Sequence, residues 1–547
     1  MNGSNAASAG DLPSFLRIAA AERPSQPAYI FGSDAIPFKE LHEDSDICAR
    51  GLAILGIKSG DRVALLVRPS RQLFVLTFGL FRCGAIPVLI DPGIGRTHLA
   101  RCLAEASPSA FIGVSLAHLA RILFGWAKQS VRTLVTVGPR WFWGGASFED
   151  VMKSGSQAKF ALSESPEPNA IAAIAFTSGS TGPPKGAVYT HQNLVSQALL
   201  LRDRYGIRPG ERDLATFPLF AFFDPVWQAT GVIPRMDFTK PGSVDPRRII
   251  GPIIEHQVTH AFGSPALLDR VGRWGVQHGA KLPSLKRVLS AGAPVSCRVL
   301  ERFARLLEAD AEIHTPYGAT EALPVCTISL EELRAETSEG TARGRGVCVG
   351  RPFPEVRLEV MQITDGPVER WSEALRMPPD AVGELVVWGP NVSKEYWNRP
   401  EATKLAKILS ATGGEIGHRT GDVGSIDALG RVWFCGRKAH RVVSESQTLF
   451  SVACEGVFNQ HEQVHRTALV GLGHPPRQRA ALCVEIEKGR RVDRSQIKRD
   501  LLALGGTCPS TREIETILFH HQFPVDIRHN AKIFRERLAV WAGEQIS

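Results

Sequence analysis

The stretch Ala173-Ile-Ala-Phe176-Thr177-Ser-Gly-Ser-Thr-Gly-Pro-Pro-Lys-Gly186 decides the fold. Its first four residues read as a buried strand, a short apolar run that ends at turn-forming residues. Three glycines then let the backbone turn tightly and approach a ligand closely. Consecutive N–H groups around Gly179 and Gly182 form a nest for an anion, and Ser178, Ser180 and Thr181 add hydroxyl donors. Lys185 supplies a movable point charge. Such a loop suits a polyphosphate. It is not the Walker loop, which would need glycine at 184, where Pro184 stands. A flexible Ser/Gly linker would not place a lysine two prolines downstream, between a strand and a helix opening at His191.

Outward from this loop, residues 14 to 435 repeat apolar runs, Gly/Pro turns and amphipathic stretches, the rhythm of strands alternating with helices. Arg62 to Val67 reads as a strand, followed by a helix to Arg82 and a second strand, Ala85 to Asp91. Further strands are expected over 170–176, 286–289 and 383–387. After Gly436-Arg437-Lys438 the chain changes character, with its own strands at 467–470 and 480–486 and a helix over 494–504. The expected architecture is α/β. A frayed tail over 1–13 precedes a large body of mixed sheets flanked by helices over 14–437, and a small α+β cap fills 438–547. No repeat period stands out.

Composition narrows the function classes. The chain has 547 residues, 44% hydrophobic and 22% charged, which excludes coiled coil, collagen and wholesale disorder. Ten scattered cysteines with no C-x-x-C spacing fit neither a zinc ribbon nor a disulfide framework, and point to a reduced, cytoplasmic setting. The longest apolar stretch, Leu73 to Ile90, contains Arg82 and Pro87 and reads as a buried helix running into a strand, not a membrane span. The first ten residues lack the basic and apolar regions of a signal peptide. Net charge is +9, without a basic tract interleaved with aromatics, so a polyanion pocket is preferred over nucleic acid.

The loop resembles the phosphate loop of the adenylate-forming superfamily, which includes acyl-CoA synthetases, luciferases and peptide-synthetase adenylation domains. Four more motifs follow in that family's order. Ser290-Ala-Gly292-Ala293-Pro294-Val295 is similar to the turn lining the adenine pocket. Tyr317-Gly318-Ala319-Thr320-Glu321 matches Y-G-x-T-E. Arg419-Thr-Gly-Asp422 with Gly436-Arg437 matches the pair that holds ribose. Lys532 stands where the family's C-terminal catalytic lysine stands, on a small mobile cap.

The resemblance implies ATP and Mg²⁺ as cofactors and assigns roles residue by residue. Ser178 to Gly182 and Lys185 hold the phosphates, with Thr181 also counted as catalytic. Gly292, Ala293, Pro294, Tyr317, Gly318, Ala319 and Thr320 line the nucleotide site, with the Tyr317 ring facing adenine. Glu321 holds Mg²⁺, Asp422 and Arg437 the ribose, and Lys532 bridges the acyl oxygen and the α-phosphate. These types suit the reaction, since two anions must be brought together and their charge offset.

Departures narrow the branch. The hinge, lysine and glycine positions that follow G-R in most acyl-CoA synthetases are His440, Val443 and Ser446 here. Phe217-Pro-Leu-Phe-Ala-Phe-Phe-Asp224 and Val525-Asp-Ile-Arg-His-Asn-Ala-Lys-Ile-Phe534 resemble the olefin β-lactone synthetases, which use no CoA. That branch implies a long-chain 2-alkyl-3-hydroxy acid as substrate. It also implies assembly with the condensing enzyme, reductase and β-lactone decarboxylase of the same pathway. Phe220, Phe222 and Phe223 either line an acyl tunnel or are plain core. His191 is nominated as the base for ring closure, by type and by nearness to the loop.

Other classes compete. An acyl-CoA synthetase shares the adenylation step, and a non-catalytic nucleotide- or acyl-binding protein would not need Lys185, Glu321, Asp422, Arg437 and Lys532 together. His461-Glu-Gln-Val-His465 fits a zinc-hydrolase motif, but the strand expected at Thr467 leaves little room for the required helix. His256 and His260 are also four apart, with His260 on an expected strand where such a pair cannot share a metal.

Overall fold

The computed structural model describes residues 10–162, 166–176, 183–487, 492–525 and 533–546. A seven-stranded sheet is built around the strand Ile171–Phe176. Its order is Ala146–Ser147, Thr133–Val137, Ala110–Val114, Arg62–Leu66, Ile86–Ile90, Ile171–Phe176, Gly186–Thr190. All pairings are parallel except the last, in which Gly186–Thr190 returns antiparallel after the loop. Ile171–Phe176 is paired on both edges, and Ala172 to Phe176 are buried on either face, which is why it reads as an unbroken apolar run.

A fourteen-stranded sheet forms the second layer. The strands Thr230–Val232, Arg212–Leu214, His260–Gly263, Arg287–Ser290 and Glu312–Ala319 run parallel in that order. The sheet then turns antiparallel through Ala322–Ser329, Val347–Pro352, Val432–Arg437, Ile416–Ile426, Gly383–Trp388 and Arg357–Met361. The two sheets share an apolar core that includes Phe74, Phe78, Phe222 and Leu385.

Local chemistry fixes the elements beside the site. The helix His191–Tyr205 opens on a capping box, with the Thr190 hydroxyl accepting from the Asn193 N–H and the Asn193 side chain answering the Thr190 N–H. It closes at Gly206, whose φ of +59° only glycine adopts without strain. The expected run of strand, helix and strand from residue 62 is present as Arg62–Leu66, Arg71–Arg82 and Ile86–Ile90.

Of the tail expected over 1–13, residues 1–9 lie outside the described residues, and a helix begins at Leu12. Asp11 caps the helix Leu12–Glu22 by accepting the Ser14 N–H, and Leu12 is 1% exposed because its side chain enters the core. After Arg437 a separate three-stranded sheet, Val464–Leu472, Arg479–Ile486 and Thr516–Phe519, packs against its own helices Ser451–Phe458, Arg494–Gly506 and Arg535–Ile546. His461 lies in a turn, and His465 on the strand Val464–Leu472 pairs with Glu487 at 3.0 Å. The described residues hold no cluster of three or more metal-ligating side chains. No described helix is long and apolar enough to cross a membrane.

Candidate active site

A cavity of about 1620 Å³ lies where the two sheets and the chain after Arg437 meet. Phe176, Lys185, Gly318, Glu321 and Arg437 line it, and so do the rings of Phe217, Phe220, Phe222, Phe223 and Phe262. The short helical turn Phe220–Phe223 leaves Phe222 and Phe223 only 4% and 3% exposed, so these rings are core and cavity wall at once.

The two halves of the ribose pair stand opposite each other on adjacent antiparallel strands, Asp422 in register with Arg437. Arg437 Nε lies 3.0 Å from Asp422 Oδ1, and Arg437 also donates to the Thr420 carbonyl at 3.1 Å. Tyr317 donates its hydroxyl to Asp422 Oδ2 at 2.5 Å. Burial, with the Asp422 carboxylate next to it, holds the Tyr317 phenol well above its usual range. The Asp422 charge pushes Arg437 the opposite way from deprotonation. Sequence distances of 105 and 15 residues thus close into one hydrogen-bonded trio beside the cavity.

Glu321 follows the strand Glu312–Ala319 in the turn to Ala322–Ser329. Tyr396 donates to Glu321 Oε1 at 2.6 Å, and the Tyr189 hydroxyl bonds the Thr320 carbonyl. Two lysines flank the Tyr396 ring, Lys185 Nζ at 5.0 Å and Lys407 Nζ at 5.8 Å from its centroid. Lys407 pairs in register with His418 and donates to the Ser393 carbonyl. Burial lowers the Lys407 ammonium to about 7, against the pull of Glu321, and drives His418 well below its ordinary value. Tyr396, Lys407 and His418 carry no signal in the sequence reading, because Tyr396 lies in a loop, Lys407 on a three-residue strand and His418 on the strand Ile416–Ile426, and only the fold brings them together near Glu321.

Of the other expected residues, Gly292, Ala319 and Thr320 line the cavity, whereas Ala293 and Pro294 do not; Tyr317 and Asp422, bonded to each other, stand behind Arg437 and do not line it either. Ser178, Gly179, Ser180, Thr181, Gly182 and Lys532 lie outside the described residues. His191 is a correction. It is 1% exposed, packs edge-on against Phe81 at 5.7 Å and does not line the cavity. Burial lowers its imidazole to about 4, so it is a poor proton acceptor with no face on the cavity.

A carboxylate set of one fits Mg²⁺, which keeps waters and substrate phosphates in most of its shell. Glu321 has one oxygen engaged by Tyr396 and borders the cavity with Lys185.

Around the hinge positions the chain is tied down. Lys438 donates to both oxygens of Glu384 at 3.1 and 3.0 Å, and Arg419 donates to Glu384 Oε2 at 2.7 Å. His440 Nε2 faces Glu536 at 3.3 Å, and the Ser446 hydroxyl donates to Glu513 at 2.7 Å.

Comparison with known proteins agrees with this geometry. A protein named olefin beta-lactone synthetase from Xanthomonas campestris pv. campestris is 46% identical over 514 residues, covering 93% of this chain and 91% of that one. A protein of the same name from Stenotrophomonas maltophilia is 45% identical, covering 93% of this chain and 92% of that one. The solved amide bond synthetase McbA from Marinactinospora thermotolerans shares the fold, with a TM-score of 0.78 at 22% identity over 97% of this chain and 99% of that chain. The family model described as AMP-binding enzyme matches residues 16–397, so the chain belongs to the AMP-binding enzyme family.

Proposed function

We propose that this chain converts a long-chain 2-alkyl-3-hydroxy acid to a β-lactone, using ATP and releasing AMP and pyrophosphate. One observation carries the reading: a single cavity is lined by Arg437, which pairs with Asp422 and through it with Tyr317, by Glu321 and Lys185, and by the rings of Phe217, Phe220, Phe222, Phe223 and Phe262. Identity of 46% to an olefin beta-lactone synthetase supports the choice of product.

In the first step a carboxylate oxygen of the substrate attacks the α-phosphorus of ATP and pyrophosphate leaves. Asp422 and Arg437 orient the nucleotide through the ribose, and Lys185 and Lys532 offset the charge that gathers between the two anions. Glu321 would hold Mg²⁺, which supplies charge neutralisation on the phosphates. In the second step the substrate's own 3-hydroxyl oxygen attacks the acyl carbon. The C–O bond to AMP breaks, AMP leaves with the electron pair, and the hydroxyl proton is released. Both reacting groups sit in one molecule, so the Phe222 and Phe223 wall needs only to fold the chain and exclude water.

The tied hinge supports closure over transfer to CoA: Ser446, with its hydroxyl held by Glu513, stands at the position that is glycine in most acyl-CoA synthetases. Assembly with a condensing enzyme, a reductase and a decarboxylase, and a cytoplasmic setting, belong to the same proposal. The test compares the 3-hydroxy acid with its 3-deoxy analogue. The 3-hydroxy acid should give continuous AMP release. The analogue should give one burst of pyrophosphate and stall as bound acyl adenylate. Equal continuous AMP release from both would refute ring closure by the hydroxyl.

A further inference from the structure

The helix Ser115–Leu123 and the loop 138–145 leave an apolar face in solvent. Phe142 is 74% exposed, Leu123 68%, Leu116 59%, Trp141 and Phe124 48%, and Ile122 41%. Singly exposed apolar residues are ordinary, but six from two adjoining segments form a patch that needs an occupant. The two segments are one surface. Ser115 donates to the Pro139 carbonyl, and His118 of the helix stacks on Trp143 of the loop at 5.2 Å. Trp143 in turn contacts Trp141 at 5.3 Å and Phe142 at 5.5 Å.

The chain that builds this face carries cations and no acid. Between Glu105 and Glu149 the chain has no Asp or Glu, yet carries Arg121, Lys128, Arg132 and Arg140. Lys128, Arg132 and Arg140 are exposed, Arg140 lying 3.3 Å from Asp150. Exposed Arg96 crosses over the Phe124 ring at 5.5 Å. Aromatic residues with a ring of cations are what an interfacial surface shows: rings enter the headgroup layer and the cations meet anionic lipid.

The face also adjoins the cavity. Val114 and Ala117, on either side of the first residues of that helix, line the cavity, as does Asp91, which precedes the Pro92–Ile94 turn and Arg96. We infer that this face docks on an anionic lipid bilayer and so presents the cavity to the phase in which a long-chain acid dissolves. The inference rests on the proposed function only for that benefit; the docking itself follows from exposure and charge.

The test is co-sedimentation of the full chain with vesicles of phosphatidylcholine alone and with part of it replaced by phosphatidylglycerol. The chain should sediment with the anionic vesicles and much less with the neutral ones. Leu123→Ser/Trp141→Ser/Phe142→Ser should weaken binding at least about tenfold, and Lys128→Glu/Arg132→Glu should abolish the anionic preference. ATP–pyrophosphate exchange with a short, soluble acid should be unchanged in both variants, which shows that they fold and separates docking from chemistry. The inference falls if the wild-type chain stays in the supernatant, or if the triple variant binds as the wild type does. It also falls if the triple variant instead dissociates a wild-type dimer, which would assign the face to a second copy.

Discussion

Tyr396 connects the charges of the site at the scale of a single residue. Its hydroxyl serves Glu321 at 2.6 Å while its ring faces Lys185 and Lys407. Tyr396→Phe removes a hydrogen bond to a charged group, a loss of roughly 1.5 kcal/mol or about tenfold in rate. The adenylation rate should fall by that factor and the Mg²⁺ requirement rise, both read by ATP–pyrophosphate exchange. Lys407 acts through Tyr396 and Ser393 and does not border the cavity. Lys407→Met, similar in length and apolar, should leave the fold intact and slow exchange by about tenfold, as loss of a positioning cation does. The two residues illustrate what the sequence hides. Asp422 and Arg437 stand in a motif whose spacing is visible, whereas Lys407 sits on a three-residue strand with no pattern around it.

Elements place these residues, and close contacts between them are specific. The helices Phe38–Ile54 and Phe148–Gln157 cross at Gly51 and Gly155. A Cβ on Gly51 would meet the Val151 carbonyl oxygen at 2.0 Å, and one on Gly155 the Ile47 carbonyl oxygen at 1.9 Å. Gly51→Val should therefore cost about 3 kcal/mol, read as a lower urea midpoint with no change in exchange activity per folded molecule. The helix His191–Tyr205 carries a pH liability. Burial lowers His191 from 6.5 to about 4, so below pH 6.5 the unfolded chain binds a proton that the folded chain does not. Its contribution is complete above that pH and is lost as pH falls toward 4, by roughly 3 kcal/mol at most. His191→Gln should flatten the loss of stability between about pH 7.5 and about pH 5, seen in urea midpoints. Strands and helices flanked by Gly, Pro or capping residues were legible within a few positions, as at Ile171–Phe176 and Arg494–Gly506. The role of His191 was not, since nearness in sequence says nothing about which face of a helix is buried.

Across the whole molecule, the two large sheets converge on one cavity, which Lys438 and Ala439 at the start of the third unit also border. The change of composition after Arg437 marked the start of the third unit, because the apolar runs there build a separate core. Its attachment was not legible. Glu384 of the large body is buried between Arg419 and Lys438, the residue that opens the third unit, a pairing that no local pattern announces. Such pairs hold geometry more than they add stability, because desolvation offsets most of their attraction. A third unit held this way, with the Ser446 hydroxyl bonded to Glu513, suits the proposed reaction, which needs no incoming thiol. The most direct measurement is mass spectrometry of the products from ATP, Mg²⁺ and a long-chain 2-alkyl-3-hydroxy acid, with and without CoA. The account predicts the same β-lactone in equal yield in both, and none from Lys532→Ala. A CoA thioester formed only when CoA is present, with no lactone in either tube, would contradict it.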